Sequence, residues 1–128
     1  MTAASSTLDA VDLVVIGGDI AQGLSLAMRD VRIVSDLLLS SNDWSPRQLQ
    51  AYGRERAERM RRVRAVADIA AALFARFGED AQRLRMTAMA RMAEDPNLAL
   101  WQASIGLGPD AVPHHIFETP FSQRLLAA

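Results

Sequence analysis

The stretch GDIAQGLSLAMRDVR, residues 18–32, decides the fold because two different patterns meet in it. The residues before it, Val11 to Ile16, are mostly β-branched and stop at Gly17-Gly18, which predicts a short buried strand that enters a tight turn. From Gly23 to about Leu39, apolar residues recur three or four positions apart, which predicts a helix. One apolar row contains Leu24, Ala27, Met28, Val31, Val34 and Leu38, and a second contains Leu26, Ile33 and Leu37. The polar stripe between them is narrow, so we expect this helix to be mostly buried.

The rest of the chain also has the pattern of helices. Ser45-Pro46 predicts the start of a long helix that runs to about Phe77, with Gly78 as its cap. Its apolar positions are Leu49, Tyr52, Met60, Val63, Ala67, Ala70, Phe74 and Phe77. Further helices are predicted from about Glu79 to Ala93, over a short segment from Asn97 to about Ile105, and from Thr119 or Pro120 to Leu126. The expected fold is therefore mostly α, a bundle-like helical C-terminal region with one short N-terminal β-strand. We expect a mobile segment over residues 1–10 and a single, incomplete helical domain over residues 11–128.

The composition excludes several classes of chemistry. The 128 residues contain no Cys, which excludes disulfides, thiolate nucleophiles and cysteine-bound metals. All 14 basic residues are Arg, which excludes Schiff-base lysine chemistry. A net charge of −1 argues against a global attraction to nucleic acid or to anionic lipid. No signal peptide or membrane-spanning apolar run is present, so we expect a cytoplasmic protein.

The segment from Gly18-Asp19 through Gln22-Gly23-Leu24 to Arg32 resembles the second FAD-binding signature of flavoprotein monooxygenases related to para-hydroxybenzoate hydroxylase. The helix that follows, with its ERAERMRRVR sequence, and the remaining tail also resemble the C-terminal region of that family, so that residues 22–128 are covered. The resemblance implies that Asp19 holds the ribityl hydroxyls of FAD. It also implies that the backbone of Gln22, Gly23 and Leu24 faces the flavin, where the unpaired N–H groups of a helix start suit a negative charge.

The sequence LDAVDLVVIGGDIA resembles a different part of the same family, namely the first strand and the glycine-rich turn that binds the ADP half of FAD. In the usual Gly-x-Gly-x-x-Gly motif, the second and third glycines would stand where this chain has Asp19 and Gln22. Asp19 and Gln22 are also closer together than the family's second signature requires. We infer that the chain joins the start of such a hydroxylase to its end, without most of the FAD domain and the substrate sheet. The candidate cofactor residues are therefore Gly17, Gly18, Asp19, Gln22, Gly23 and Leu24.

Two functions follow as hypotheses. The first is a truncated FAD-dependent monooxygenase of the aromatic hydroxylase type, in which FAD binding is conceivable but independent catalysis is not expected. The complete family uses NAD(P)H, FAD and O2 on aromatic substrates, and there the cofactor carries the oxygen chemistry. The alternative is a noncatalytic helical module that binds another protein chain, most simply as a homodimer, through apolar surfaces that the absent sheet leaves uncovered.

Four further patterns each have a functional and a structural interpretation. The arginines between Arg54 and Arg64 would suit phosphate, but Glu55 and Glu58 stand four residues before Arg59 and Arg62, which favours a solvated, ion-paired face. Ser25 with Asp95 or Asp110 and His114 or His115 has the residue order of a serine hydrolase, but Ser25 is predicted inside a helix. His114, His115 and Glu118 would make a metal site only if they converged, and a loop is favoured. Met86, Met89 and Met92 would suit a pocket or groove, but core packing is favoured.

Overall fold

The structure is a computed structural model that describes residues 22–43 and 45–127, and these residues form five α-helices and no β-strand. The helices are α1 (Gln22–Ser40), α2 (Gln50–Ala70), α3 (Glu79–Glu94), α4 (Leu100–Leu107) and α5 (Thr119–Leu126). The predicted helical architecture is therefore confirmed for the described part. The strand predicted over residues 11–16 and the mobile segment predicted over residues 1–10 lie outside the described residues. The chain divides into two compact units, Met1–Tyr52 and Gly53–Ala128, which are treated separately below.

Helix α1 begins one residue before its predicted start and ends one residue after its predicted end. Beyond it, Ser40 Oγ donates to the Leu37 carbonyl at 3.2 Å, and the Asp43 carboxylate accepts from the Ser45 N–H at 3.0 Å. Hydrogen bonds from the side chain and backbone of Ser45 lower the pKa of Asp43. The expectation that α1 is mostly buried is wrong, because none of its residues from Gly23 to Ser40 falls in the buried class. Periodicity identifies an apolar row, but burial also requires a second element packed against that row.

Helix α2 begins later than Ser45-Pro46 predicts. Residues 45–49 form a turn in which the Gln48 N–H donates to the Ser45 carbonyl and the Gln50 N–H donates to the Arg47 carbonyl, three residues back. At its other end α2 continues as a single π-helical turn, Ala71–Ala75, and then Arg76 adopts an extended backbone. Because the helix ends before Arg76, Phe77 does not lie on its apolar face as predicted. Phe77 is instead 92% exposed.

Gly78 separates α2 from α3 with a φ of 98° and a ψ of 174°, a region that is almost restricted to glycine. The break was predicted at this residue, and the structure confirms it. Helix α3 follows at once with Glu79 and Asp80 in its first turn, where negative charge is favourable. It ends before Pro96 as predicted, and Asp95 accepts hydrogen bonds from both nitrogens of Asn97, which lower the pKa of Asp95.

The core of the second unit is built around Trp101 on α4, which is completely buried together with Leu73 and Leu125. The core cluster contains Val66, Ile69, Leu73, Ala88, Met92, Leu98, Trp101, Ile116, Phe117, Phe121 and Leu125. Arg91 on α3 donates to the carbonyls of Leu125 and Ala127, so the end of α5 is fastened to α3. Four helices and two short 3-10 turns, Pro96–Ala99 and His114–Phe117, thus close over one apolar interior.

Candidate functional site

The start of α1 is the described part of the predicted FAD site. Gln22, Gly23 and Leu24 are the first helical residues that the structure describes. The first backbone N–H groups of any helix have no acceptor within that helix and can donate to a carbonyl or anionic oxygen. Leu24 has 70% of its side chain exposed. The other three predicted site residues, Gly17, Gly18 and Asp19, lie outside the described residues.

One side of α1 presents a continuous apolar surface to solvent, which we call the open face. Its members stand three, four or seven positions apart and are all exposed: Leu24, Ala27, Met28, Val31, Ser35, Leu38 and Leu39. Ser35 is the only polar residue among them. Met28, Val31 and Leu39 have exposed fractions of 65%, 67% and 87%. Five of these residues, Leu24, Ala27, Met28, Val31 and Leu38, belong to an apolar row identified from the sequence, on a helix that was expected to be mostly buried.

Two opposite charges border the open face on one edge. Arg32 and Asp36 are both exposed, and neither forms an ion pair with the residues that the structure describes. They stand one helical turn apart, with the cation first, which is the less favourable order for a pair within one helix. The other edge of the open face carries Asp30 and Val34. The edges of the open face are therefore chemically different.

The methionine row on α3 is divided. Met92 is buried in the core, as the favoured interpretation predicted. Met86 and Met89 are instead 67% and 43% exposed, so for them core packing was the wrong interpretation. The physical reason is helical rotation: Ala81, Ala88 and Met92 share the side of α3 that faces the core, and Met86 points away from it.

An ion network joins α2 to the loop before α5. Glu58 accepts hydrogen bonds from Arg61 at 2.8 and 2.9 Å and from Arg62 Nε at 2.9 Å, and these bonds lower its pKa well below the usual 4.5. The same bonds raise the pKa of Arg61. His114 has Nε2 3.3 Å from Glu58 and Nδ1 3.2 Å from Glu118. The network holds the His114–Phe117 turn against α2. Its charged side chains are paired with one another.

The predicted pairs between Glu55 and Arg59 and between Glu58 and Arg62 are both present, at 3.1 and 2.9 Å. One part of the solvated-face interpretation is wrong, because Arg59 is only 3% exposed. Arg62 in addition lies over the Phe117 ring, 5.7 Å from its centroid. The arginines described here are thus engaged in ion pairs and packing rather than arranged as an open phosphate-binding surface.

The two catalytic alternatives gain no support. Ser25 lies inside α1, as predicted, and not at a strand-to-helix turn. His114 and Glu118 are neighbours, whereas His115 packs against the Phe121 ring at 6.1 Å. Among the described residues, no group of three His, Asp or Glu side chains is arranged to hold a metal ion.

A shallow cavity of about 200 Å³ lies between α2 and α5 in the second unit. Ile69, Ile116 and Leu126 line its apolar part, and Asp68 and Glu118 stand at its edge. This volume is below the roughly 300–1,000 Å³ of ordinary small-molecule sites. Of the residues assigned to FAD, the described ones, Gln22, Gly23 and Leu24, do not line it.

No family model, curated protein or solved structure matches this chain. None of the described helices is both long enough and apolar enough to cross a membrane. The hypothesis of an FAD-dependent hydroxylase therefore depends on the sequence resemblance described above.

Proposed function

We propose that this chain is the helical C-terminal part of an FAD-dependent monooxygenase of the aromatic hydroxylase type and that it works without catalysis, as a module that binds another protein chain. The observation that carries the binding proposal is the open face of α1. A helix that exposes this much apolar surface gains free energy when a partner removes it from water, at roughly 25 cal/mol per Å². Contiguous apolar surface of this kind commonly marks an interface.

Two features support the family part of the proposal. Helix α1, Gln22–Ser40, covers the segment in which the resemblance requires a long helix. The residues after it fold as consecutive helices, in keeping with the helical end of that family. In such enzymes the oxygen chemistry belongs to the flavin, and of the predicted flavin site the structure describes only Gln22, Gly23 and Leu24.

The binding proposal is tested by sedimentation velocity over a range of concentrations with two matched variants. Met28→Glu places a charge on the open face, and Met86→Glu places the same charge on α3 at an equally exposed methionine. We expect the native chain and the Met86→Glu variant to form a larger species and the Met28→Glu variant to stay monomeric. A native chain that is monomeric at every concentration, or equal behaviour of the two variants, would contradict the proposal.

FAD binding is the second candidate, and the helical backbone at Gln22-Gly23-Leu24 is the observation that favours it. The first-turn N–H groups suit an oxygen of the flavin, although no other described residue contributes to the predicted site. Gln22→Pro removes one of these donors at a position where proline is well tolerated, and Gln22→Ala keeps it. We expect the native chain and Gln22→Ala, but not Gln22→Pro, to keep a visible flavin absorption band after gel filtration with FAD. A native chain that emerges colourless excludes this candidate.

A further inference from the structure

We propose that the partner of the open face is the open face of a second copy of this chain, with the two α1 helices antiparallel. This inference depends on the binding module proposed above and adds the identity and the orientation of its partner. Most soluble oligomers are symmetric pairs in which residue i of one copy meets residue j of the other, and j meets i. The open face has the composition and the charges that such a pairing requires.

The apolar residues of the open face match each other when the helices cross near Ser35. In this register Val31 of one copy lies opposite Leu38 of the second copy, and by symmetry Leu38 of the first lies opposite Val31 of the second. Ser35 stands at the centre, where a small side chain allows close approach of two helices. Both copies would cover the side chains that are 65% to 87% exposed in the single chain.

The charges on the edge determine the orientation. In an antiparallel pair, the same edge of each helix faces the same edge of its partner, so Arg32 of each copy comes within reach of Asp36 of the other. Both ion pairs form at once, and both use groups that have no ion-pair partner among the described residues. In a parallel pair, this edge would face the edge with Asp30 and Val34, which offers Asp36 no cation. Charge complementarity of this kind commonly selects the partner and its register.

A lipid surface is the other plausible cover for an amphipathic helix, and the charges of α1 argue against it. Helices that lie on membranes carry a strongly basic polar face. Helix α1 has two Arg and two Asp, so that its net charge is zero. Vesicles of anionic lipid therefore serve as a control in the experiment below.

The absence of cysteine in the native sequence makes the orientation directly testable. Purified Val31→Cys and Leu38→Cys chains are mixed under mild oxidation, and the disulfide-linked dimers are identified by mass spectrometry. The antiparallel pair predicts that the mixed 31–38 product dominates, because a disulfide requires Cα atoms about 4.4–6.8 Å apart. Met86→Cys mixed with Val31→Cys is the control and should give no comparable product. Dominant 31–31 and 38–38 products would overturn the antiparallel orientation.

Exchanging the charges of Arg32 and Asp36 tests their pairing between the two copies independently of the disulfide experiment. Arg32→Asp or Asp36→Arg alone should weaken dimerisation about tenfold, because each replaces two attractions by two repulsions. The double variant Arg32→Asp with Asp36→Arg restores opposite charges and should recover the native dimerisation constant. A double variant no better than the single ones would overturn the assigned pairing.

The outcomes separate this inference from the proposed function. Association that Met28→Glu abolishes, combined with no 31–38 product and no rescue by charge exchange, rejects the antiparallel pair and leaves the binding module standing. A native chain that stays monomeric rejects both. Binding of a monomeric chain to anionic vesicles identifies a lipid surface as the cover and overturns the inference.

Discussion

The second unit and helix α1 use the same kinds of apolar residue in opposite ways. Around Trp101, residues from α2, α3, α4 and α5 are buried to a few per cent of their accessible surface. On α1, leucine, methionine and valine at equally regular spacing are mostly exposed. The periodicity is similar in both regions, and the difference is the presence of neighbouring helices that pack against it.

The comparison shows that helical periodicity predicts an apolar helix face but does not predict whether another element packs against that face. In the second unit the chain supplies its own partners for that surface. Among the residues that the structure describes, none covers the open face of α1, which is why we assign it to a partner. Four substitutions test this contrast, and they are described from the largest expected effect to the smallest.

The largest effect is expected at the centre of the core. Trp101→Ala removes a completely buried side chain and should lower the free energy of unfolding by about 3–5 kcal/mol. Leu107→Ala on the same helix is the control, because Leu107 is 74% exposed and its truncation should cost little. Urea denaturation followed by circular dichroism measures both. Equal losses in the two variants would show that the core is not organised around Trp101.

A smaller effect is expected at the break between α2 and α3. Gly78→Ala should cost roughly 1–3 kcal/mol, because a φ of 98° with an extended ψ strains any residue that has a Cβ. No heavy atom lies within 4 Å of the added Cβ, so the cost is conformational and not steric crowding by neighbours. Gly53→Ala inside α2 should have the opposite sign and stabilise by about 0.5–1 kcal/mol. The same denaturation assay compares them, and stabilisation by Gly78→Ala would contradict the assigned backbone conformation.

The ion network should contribute less, and in a pH-dependent way. The folded chain lowers the pKa of Glu58, so its stabilisation is fully present above the ordinary value of 4.5 and is lost as the pH falls below it. Glu58→Gln should cost under about 1 kcal/mol at neutral pH, since the pair is partly exposed. Below pH 4.5 the difference from the native chain should shrink. The free energy of unfolding, measured against pH, tests this prediction, and Glu94→Gln at an exposed position is the control. If the difference between Glu58→Gln and the native chain is the same in acid as at neutral pH, the Glu58 carboxylate does not have this role.

The smallest effect on stability is expected on the open face itself. Leu24→Ser, measured below the concentration at which the chain associates, should change the free energy of unfolding by no more than about 0.5 kcal/mol. The reason is that Leu24 keeps 70% of its surface in contact with water in the single chain. A loss comparable to that of a core leucine would show that the open face is already covered.

Much of the fold could be predicted from the sequence. The bounds of α1, α3 and α5 follow from periodicity together with Gly78, Pro96 and Pro120, which act locally on the backbone. The π-helical turn at the end of α2 and the late start at Gln50 could not be predicted, because both depend on which hydrogen bonds the packed chain selects. Phe77 was misassigned to the apolar face for that reason.

The candidate site was only partly accessible to sequence reasoning. The helix that contains Gln22, Gly23 and Leu24 could be predicted because it follows from the apolar periodicity of the sequence. The exposure of Met28 and Val31 could not, because it depends on tertiary packing and looks the same as a core row in sequence. The burial of Arg59 is a similar case, since an arginine flanked by glutamates normally predicts a solvated position.

The complete burial of Trp101 also has an optical consequence. The chain contains two tryptophans, Trp44 and Trp101, and Trp44→Phe leaves a single indole in the middle of the second unit's core. Phe74 is its aromatic neighbour, with ring centroids 6.3 Å apart. Fluorescence from that indole should be blue-shifted in the folded chain and should move to the red as soon as the core opens. The native sequence therefore carries its own reporter of the second unit, one residue change away from being specific.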